Sequence, residues 1–364
     1  MGPESGERAR PVVTCTAPGK LMLLGEYAVL HGTPALVTTV ERRIIWRAWP
    51  RSGSWRLLSK GPKHHGTADF TIAAGRVHAG APPNAEAITA SPLTPFLRGL
   101  MQAAASELGT PAGAWTLELD TSAFFTPSGE KLGLGSSGAL AASLFTLWAH
   151  LAGQEPGEDA LVQAALRAHR HAQGGRGSGA DVAASVCGGS WEIRVQAHGL
   201  ERARCALPAD MQIVPIWAGT AASTEALVKD VEAFAERAPD TQQTIFKAMD
   251  AASRAGLNAL AERDTPALIA AFEDYGRLFE RLSQASGAHV MTPALQSIAA
   301  AVRHAGAVFK PSGAGGGDFA LAVMQGDSAA RAALIARLEA AGLTVMPLTL
   351  EAAPCRVTPL RQPS

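Results

Sequence analysis

The sequence predicts an α+β protein built as two lobes. Strand-like runs gather near both ends of the chain, helical spacing dominates the later half, and no repeat of fixed period is present. At 364 residues the chain is long enough for two domains or one large two-lobed unit. The expected division places residues 12–200 in an N-terminal lobe and 201–360 in a C-terminal lobe.

Taken in order, residues 12–16, 20–24, 35–40, 44–49 and 55–58 are β-branched, aromatic or aliphatic and predict short strands. Residues 61–91, rich in Gly, Pro, Ala and His, predict a long loop of weak structure. Helical spacing follows at 92–108, and strand-like alternation at 115–120. An Ala/Leu-rich helix is expected at 137–151, another at 159–171 and a short one at 182–186, then strands at 190–195 and 211–217. Apolar residues at i, i+3, i+4 predict helices over 222–236, 242–262, 265–284 and 292–304. Asp264-Thr265-Pro266 is a helix start, with a capping side chain and proline in the first turn. Strands at 307–310 and 319–324 bracket a glycine cluster; a helix at 329–341 and a strand at 344–350 complete the pattern.

Charge and cysteine usage narrow the function. Lys+Arg and Asp+Glu each number 32, so the chain lacks the basic excess of a nucleic-acid-coating protein. Its four cysteines form no C-x-x-C pair, which argues against a zinc site or a secreted disulfide scaffold and for reduced thiols in the cytoplasm. Residues 1–11 are polar with no apolar stretch behind them, and apolar runs elsewhere fall short of 18 residues. Neither a signal peptide nor a membrane span is therefore expected.

Three glycine-bearing segments carry the chemistry. The central one is Lys131-Leu132-Gly133-Leu134-Gly135-Ser136-Ser137-Gly138-Ala139, just before a helix. Its glycines let backbone approach a ligand, and the helix N-terminus favours an anion, a phosphate above all. Ser136 and Ser137 can cap the helix or hold a metal. The segment is neither a Walker A loop nor a Rossmann fingerprint, and taken alone it also fits a plain Gly-Ser helix start. The second, Lys310-Pro311-Ser312-Gly313-Ala314-Gly315-Gly316-Gly317-Asp318, has more glycine than a turn requires, although a flexible hairpin loop would also use it. The third is Ala17-Pro18-Gly19-Lys20 followed by Gly25-Glu26-Tyr27.

Together these segments resemble the GHMP kinase superfamily, over about residues 17–324. The resemblance implies a two-lobed α+β fold with an ATP cleft between the lobes and a magnesium-dependent phosphoryl transfer to a small-molecule acceptor. It implies Lys20 as the active-site lysine, and Asp181, in Gly177-Ser178-Gly179-Ala180-Asp181, as the aspartate facing the acceptor. Gly133, Leu134, Gly135, Ser136, Ser137 and Gly138 would cradle the ATP phosphates, with Ser137 helping to hold Mg2+. Ser312, Gly313, Ala314 and Gly315 would line the place where acceptor and γ-phosphate meet. Taken alone, Asp181 would read first as a helix cap. Gly-Glu-Tyr27, Glu130-Lys131 and Gly317-Asp318 resemble the phosphomevalonate kinases more than the mevalonate kinases, so phosphomevalonate is the expected acceptor. The alternative is mevalonate or the acceptor of another kinase of the superfamily. Intact Lys20, Ser137 and Asp181 argue against a non-catalytic member, and Lys20 with the Ser312–Asp318 segment against the related decarboxylase. Phe319 departs from the cysteine common there. For the acceptor's phosphate, Arg176 is the first candidate, with Ser178 beside it; Lys60, Lys63, His64, His65 and Lys131 are others. Trp46, Trp49 and Trp55 would form either a base-stacking wall or core. A monomer or homodimer is expected, with no membrane or nucleic-acid partner.

Overall fold

The computed structural model describes residues 12–62, 65–80, 92–175, 177–196 and 199–360. The first strand, β1 (Val13–Leu24), joins two of the expected short strands, and β2 (Ala35–Arg51) joins two more. They pair antiparallel with register shifts at Pro18/Gly19 and Met22/Leu24. Proline has no N–H to give to a ladder, so a bulge absorbs Pro18 while the strand continues. The irregularity falls immediately before Lys20.

The sheet is extended by β3 (Trp55–Lys60), β4 (Gly66–Ala73) and β5 (Arg76–Ala79). Part of the expected loop at 61–91 is therefore a β-hairpin. Ala73 pairs with Arg76, and the two residues between, Ala74 and Gly75, both have positive φ (49° and 71°). That is the backbone a two-residue hairpin turn needs, here without the Asn-Gly or Asp-Gly pair that usually signals it. Residues 63–64 and 81–91 of that segment lie outside the described residues.

Next come α1 (Pro95–Leu108), β6 (Ala114–Asp120), α2 (Ser136–Leu151), α3 (Glu158–Ala172), α4 (Ala180–Cys187), β7 (Ser190–Gln196) and β8 (Gly199–Cys205). Helices α2 and α4 pack on β1 and β2, with α1 and α3 against them. Trp46 and Trp55 belong to this core: Trp46 is fully buried and donates to Ser143 Oγ, and Trp55 stacks on Trp148. They are not a stacking wall for a base.

The second sheet holds β9 (Met211–Trp217), β10 (Val308–Ser312), β11 (Phe319–Gln325) and β12 (Thr344–Val345), in the order β10-β11-β9-β12. Against it lie α7 (Thr265–Ser286), α8 (Pro293–His304) and α9 (Ser328–Ala340), while α6 (Pro239–Glu262) packs on α7 and α5 (Thr224–Arg237) on both α6 and α7. The expected strand at 344–350 pairs with β9 only at its first two residues; Pro347 interrupts it, and Leu350 instead bridges Val40. The chain then returns to the first sheet as β13 (Arg356–Pro359), alongside β1. The expected division at residues 200 and 201 falls inside β8, which is hydrogen-bonded to β7. The fold is the expected α+β arrangement, with one hydrophobic cluster running through both sheets. Among the described residues no helix is long and apolar enough to cross a membrane.

Candidate active site

Leu132 and Leu134 are fully buried and anchor the central glycine segment to the core. Between and after them, Gly133 and Gly135 take φ of 72° and 74°. Helix α2 then begins with Gly135 at its N-cap and no side-chain cap. Its first-turn N–H groups are left for a ligand, which is what an anion site at a helix N-terminus requires. The Lys20 backbone N–H donates to Leu134 O at 2.9 Å and ties β1 to the segment.

The glycines also make room for functional side chains. A Cβ on Gly135 would lie 3.0 Å from Cγ and Cε of Lys20 and 3.5 Å from Cβ of Asp181. One on Gly138 would lie 2.6 Å from the Asp181 carboxyl carbon, and one on Gly133 would fall 2.1 Å from that of Asp318. Lys20 from β1, Asp181 from α4 and Asp318 from the loop before β11 thus converge on one backbone segment, across 298 positions of sequence. Asp181 is not the cap of its helix. Gly179 occupies that position, and Asp181 lies in the first turn with Oδ1 accepting from Val182 N at 3.0 Å.

The opposite wall rests on a buried ion pair that sequence reasoning missed. Lys310 donates to Glu26 with both side chains at most 2% exposed. Lys310 also donates to Pro311 O at 2.6 Å and lies 5.4 Å from the ring centroids of both Tyr275 and Phe279. Burial lowers the Lys310 pKa, and Glu26 opposes that shift. Glu26 further accepts from Gly313 N at 3.3 Å, and the Tyr27 hydroxyl donates to Ala314 O at 2.5 Å. The Gly25-Glu26-Tyr27 turn is in this way bolted to the second glycine segment. Asp318 takes φ 51° and accepts from Ala222 N at 3.0 Å. Burial raises its pKa, while the Ala222 N–H and the charges of Lys20 and Lys131 oppose the rise.

These walls enclose a cavity of about 610 Å³, lined by Lys20, Lys131, Gly133, Gly135, Ser137, Ser178, Asp181, Gly313, Ala314 and Asp318, among others. That volume suits a small-molecule site. Other expected residues stand behind the wall. Ser312 turns its hydroxyl to Met22 O at 2.9 Å, and Gly315 backs onto Val290. Leu134 is core, while Ser136 and Gly138 belong to the first turn of α2. Lys60 pairs with Glu118 at 3.0 Å, away from the cavity, and His65 is likewise not among its lining residues. Arg176, Lys63 and His64 lie outside the described residues. His169 lines the cavity although the sequence did not single it out; a histidine on the apolar side of a helix usually reads as core.

Residues 100–189 match the GHMP kinases N terminal domain. A phosphomevalonate kinase of Streptomyces sp. (strain CL190) is 27% identical over 92% of this chain and 96% of its own. A mevalonate kinase of Thermococcus onnurineus is also 27% identical, over 89% and 93%. Among solved structures, Streptococcus pneumoniae phosphomevalonate kinase in complex with phosphomevalonate and AMPPNP superposes with a TM-score of 0.74 at 19% identity, covering 93% of this chain and 99% of that one. The matched domain contains the uncapped helix, its glycine loop and Asp181, and beyond it the chain is similar along most of its length to GHMP kinases that are phosphotransferases.

Proposed function

We propose that this chain transfers the γ-phosphoryl group of ATP to 5-phosphomevalonate, giving 5-diphosphomevalonate and ADP, as a cytoplasmic enzyme of isoprenoid synthesis. The observation that carries the reading is the convergence of Lys20 and Asp181 on the glycines of an uncapped helix N-terminus. Phosphoryl transfer asks a protein mainly for positioning and for positive charge around the moving group. The loop N–H groups of residues 133–138 would hold the nucleotide phosphates, and Lys20 would offset charge on the transferred group. Magnesium neutralises phosphate charge when bound, and it takes few protein ligands. The Ser137 hydroxyl, on the cavity wall, fits that role; among the described residues no cluster of three or more His, Cys, Asp or Glu forms a separate metal site.

The choice of acceptor is supported by the Streptomyces relative and by Lys131, a cation on the cavity wall able to meet an acceptor phosphate. Mevalonate is the second reading, supported by the Thermococcus relative. Acid–base chemistry separates them. The mevalonate alcohol must lose a proton during attack, so Asp181→Asn would cost about 100-fold or more with that acceptor. A phosphomonoester is already an anion above its second pKa of about 6. With phosphomevalonate, Asp181→Asn is expected to keep measurable turnover at pH 8 and to lose it as pH falls through about 6. The check is a pH–rate profile of both proteins with both acceptors. Turnover of mevalonate but not phosphomevalonate by the wild type would overturn the acceptor assignment.

A further inference from the structure

His169 sits directly behind Asp181. It belongs to the last turn of α3, is 3% exposed, and meets the Phe96 ring edge-on at 5.9 Å. Among the described residues neither of its ring nitrogens has a hydrogen-bond partner. Buried polar side chains are nearly always paired, and the exceptions cluster where a partner arrives later or a group has work to do. Packing alone would be served as well by an apolar side chain against Phe96.

The carboxylate in front of it is half engaged. Asp181 Oδ1 accepts from Val182 N at 3.0 Å, while Oδ2 stands 3.9 Å from His169 Nε2. That gap exceeds a hydrogen bond by roughly 1 Å, a typical looseness for a site without its substrate. The bare Cα of Gly138 leaves Asp181 room for such a movement, since a Cβ there would lie 2.6 Å from Oδ2.

We propose that His169 is a positioning residue for Asp181: when the acceptor enters, Nε2–H closes onto Oδ2 and fixes the carboxylate toward acceptor and Lys20. The imidazole has a ring N–H to donate, and Oδ2 stands 3.9 Å in front of Nε2. Bound acceptor restricts the carboxylate from the cavity side, and His169 restricts it from behind. The inference rests on the phosphoryl-transfer reading above and adds to it the group that orients its aspartate.

A double-mutant cycle tests it, run with whichever acceptor the wild type turns over. His169→Leu keeps the packing against Phe96 and removes the donor. It is expected to lower kcat by roughly tenfold to 100-fold, the cost of a misplaced reacting group, with KM for ATP and acceptor within about twofold of wild type. His169→Gln keeps an N–H at similar reach and is expected to recover most of the rate. In the Asp181→Asn background, His169→Leu is expected to change kcat by less than about twofold, because the two side chains act as a unit. An equal loss from His169→Leu in both backgrounds, or equal impairment of the Leu and Gln variants, would overturn the inference and leave the kinase reading intact. A wild type that turns over no acceptor would overturn the kinase reading and this inference with it.

Discussion

Gly135→Val is expected to lower nucleotide affinity by about 100-fold or more while the protein remains folded. Gly135 takes φ 74°, and a Cβ there meets Lys20 at 3.0 Å. A β-branched residue is strained in the left-handed region by roughly 1–3 kcal/mol, and the loop relieves that strain by moving the N–H groups that face the phosphates. Each 1.4 kcal/mol of lost binding is tenfold in affinity, so strain and displacement together reach about two orders of magnitude. The fold survives because the obstructing Lys20 atoms belong to a flexible side chain rather than to packed backbone. Calorimetric titration with a non-hydrolysable ATP analogue, alongside circular dichroism, provides the check. Wild-type affinity in a folded variant would remove residues 133–138 from the active site.

Lys310→Met is expected to destabilise the protein by roughly 3–5 kcal/mol, the cost of leaving one member of a buried ion pair without its partner. Glu26 is 3% exposed, and its Oε2 atom is already without a hydrogen-bond partner among the described residues. Pairing Lys310→Met with Glu26→Gln removes the orphaned charge and should restore part of the loss. Urea unfolding of the single and double variants gives the comparison, with an unchanged m-value showing that stability alone has shifted. A loss under about 1 kcal/mol for the single variant would mean that the pair does not hold the two walls of the cavity together.

Much of this arrangement was legible in the sequence because close approach leaves a compositional trace. The glycines at 133, 135 and 138 mark where Asp318, Lys20 and Asp181 press against backbone, and at 133 and 138 a Cβ would fall under 3 Å from a carboxyl group. One helix start was legible too: Asp264 accepts from the third residue of its helix, with proline in the first turn. What was not legible depends on distant partners. Glu26 and Lys310 are 284 positions apart, and nothing local distinguishes either from a surface charge. His169 reads as an ordinary member of a helix until Asp181 is placed before it. The continuity of β1 through Pro18 is decided by its pairing with β2, and the β4–β5 turn uses Ala74-Gly75 in place of the usual signal. Strands β8 and β13 are short, and each is specified by the neighbour it pairs with rather than by an apolar run of its own.

The most direct test of the account is acceptor-dependent ADP release with ATP and magnesium, measured against phosphomevalonate, mevalonate, homoserine and galactose. The account predicts ADP release in step with phosphomevalonate consumption, little release with the other three, and loss of that release in a folded Lys20→Ala variant. Release that is independent of every acceptor, or an undiminished rate in Lys20→Ala, would contradict it.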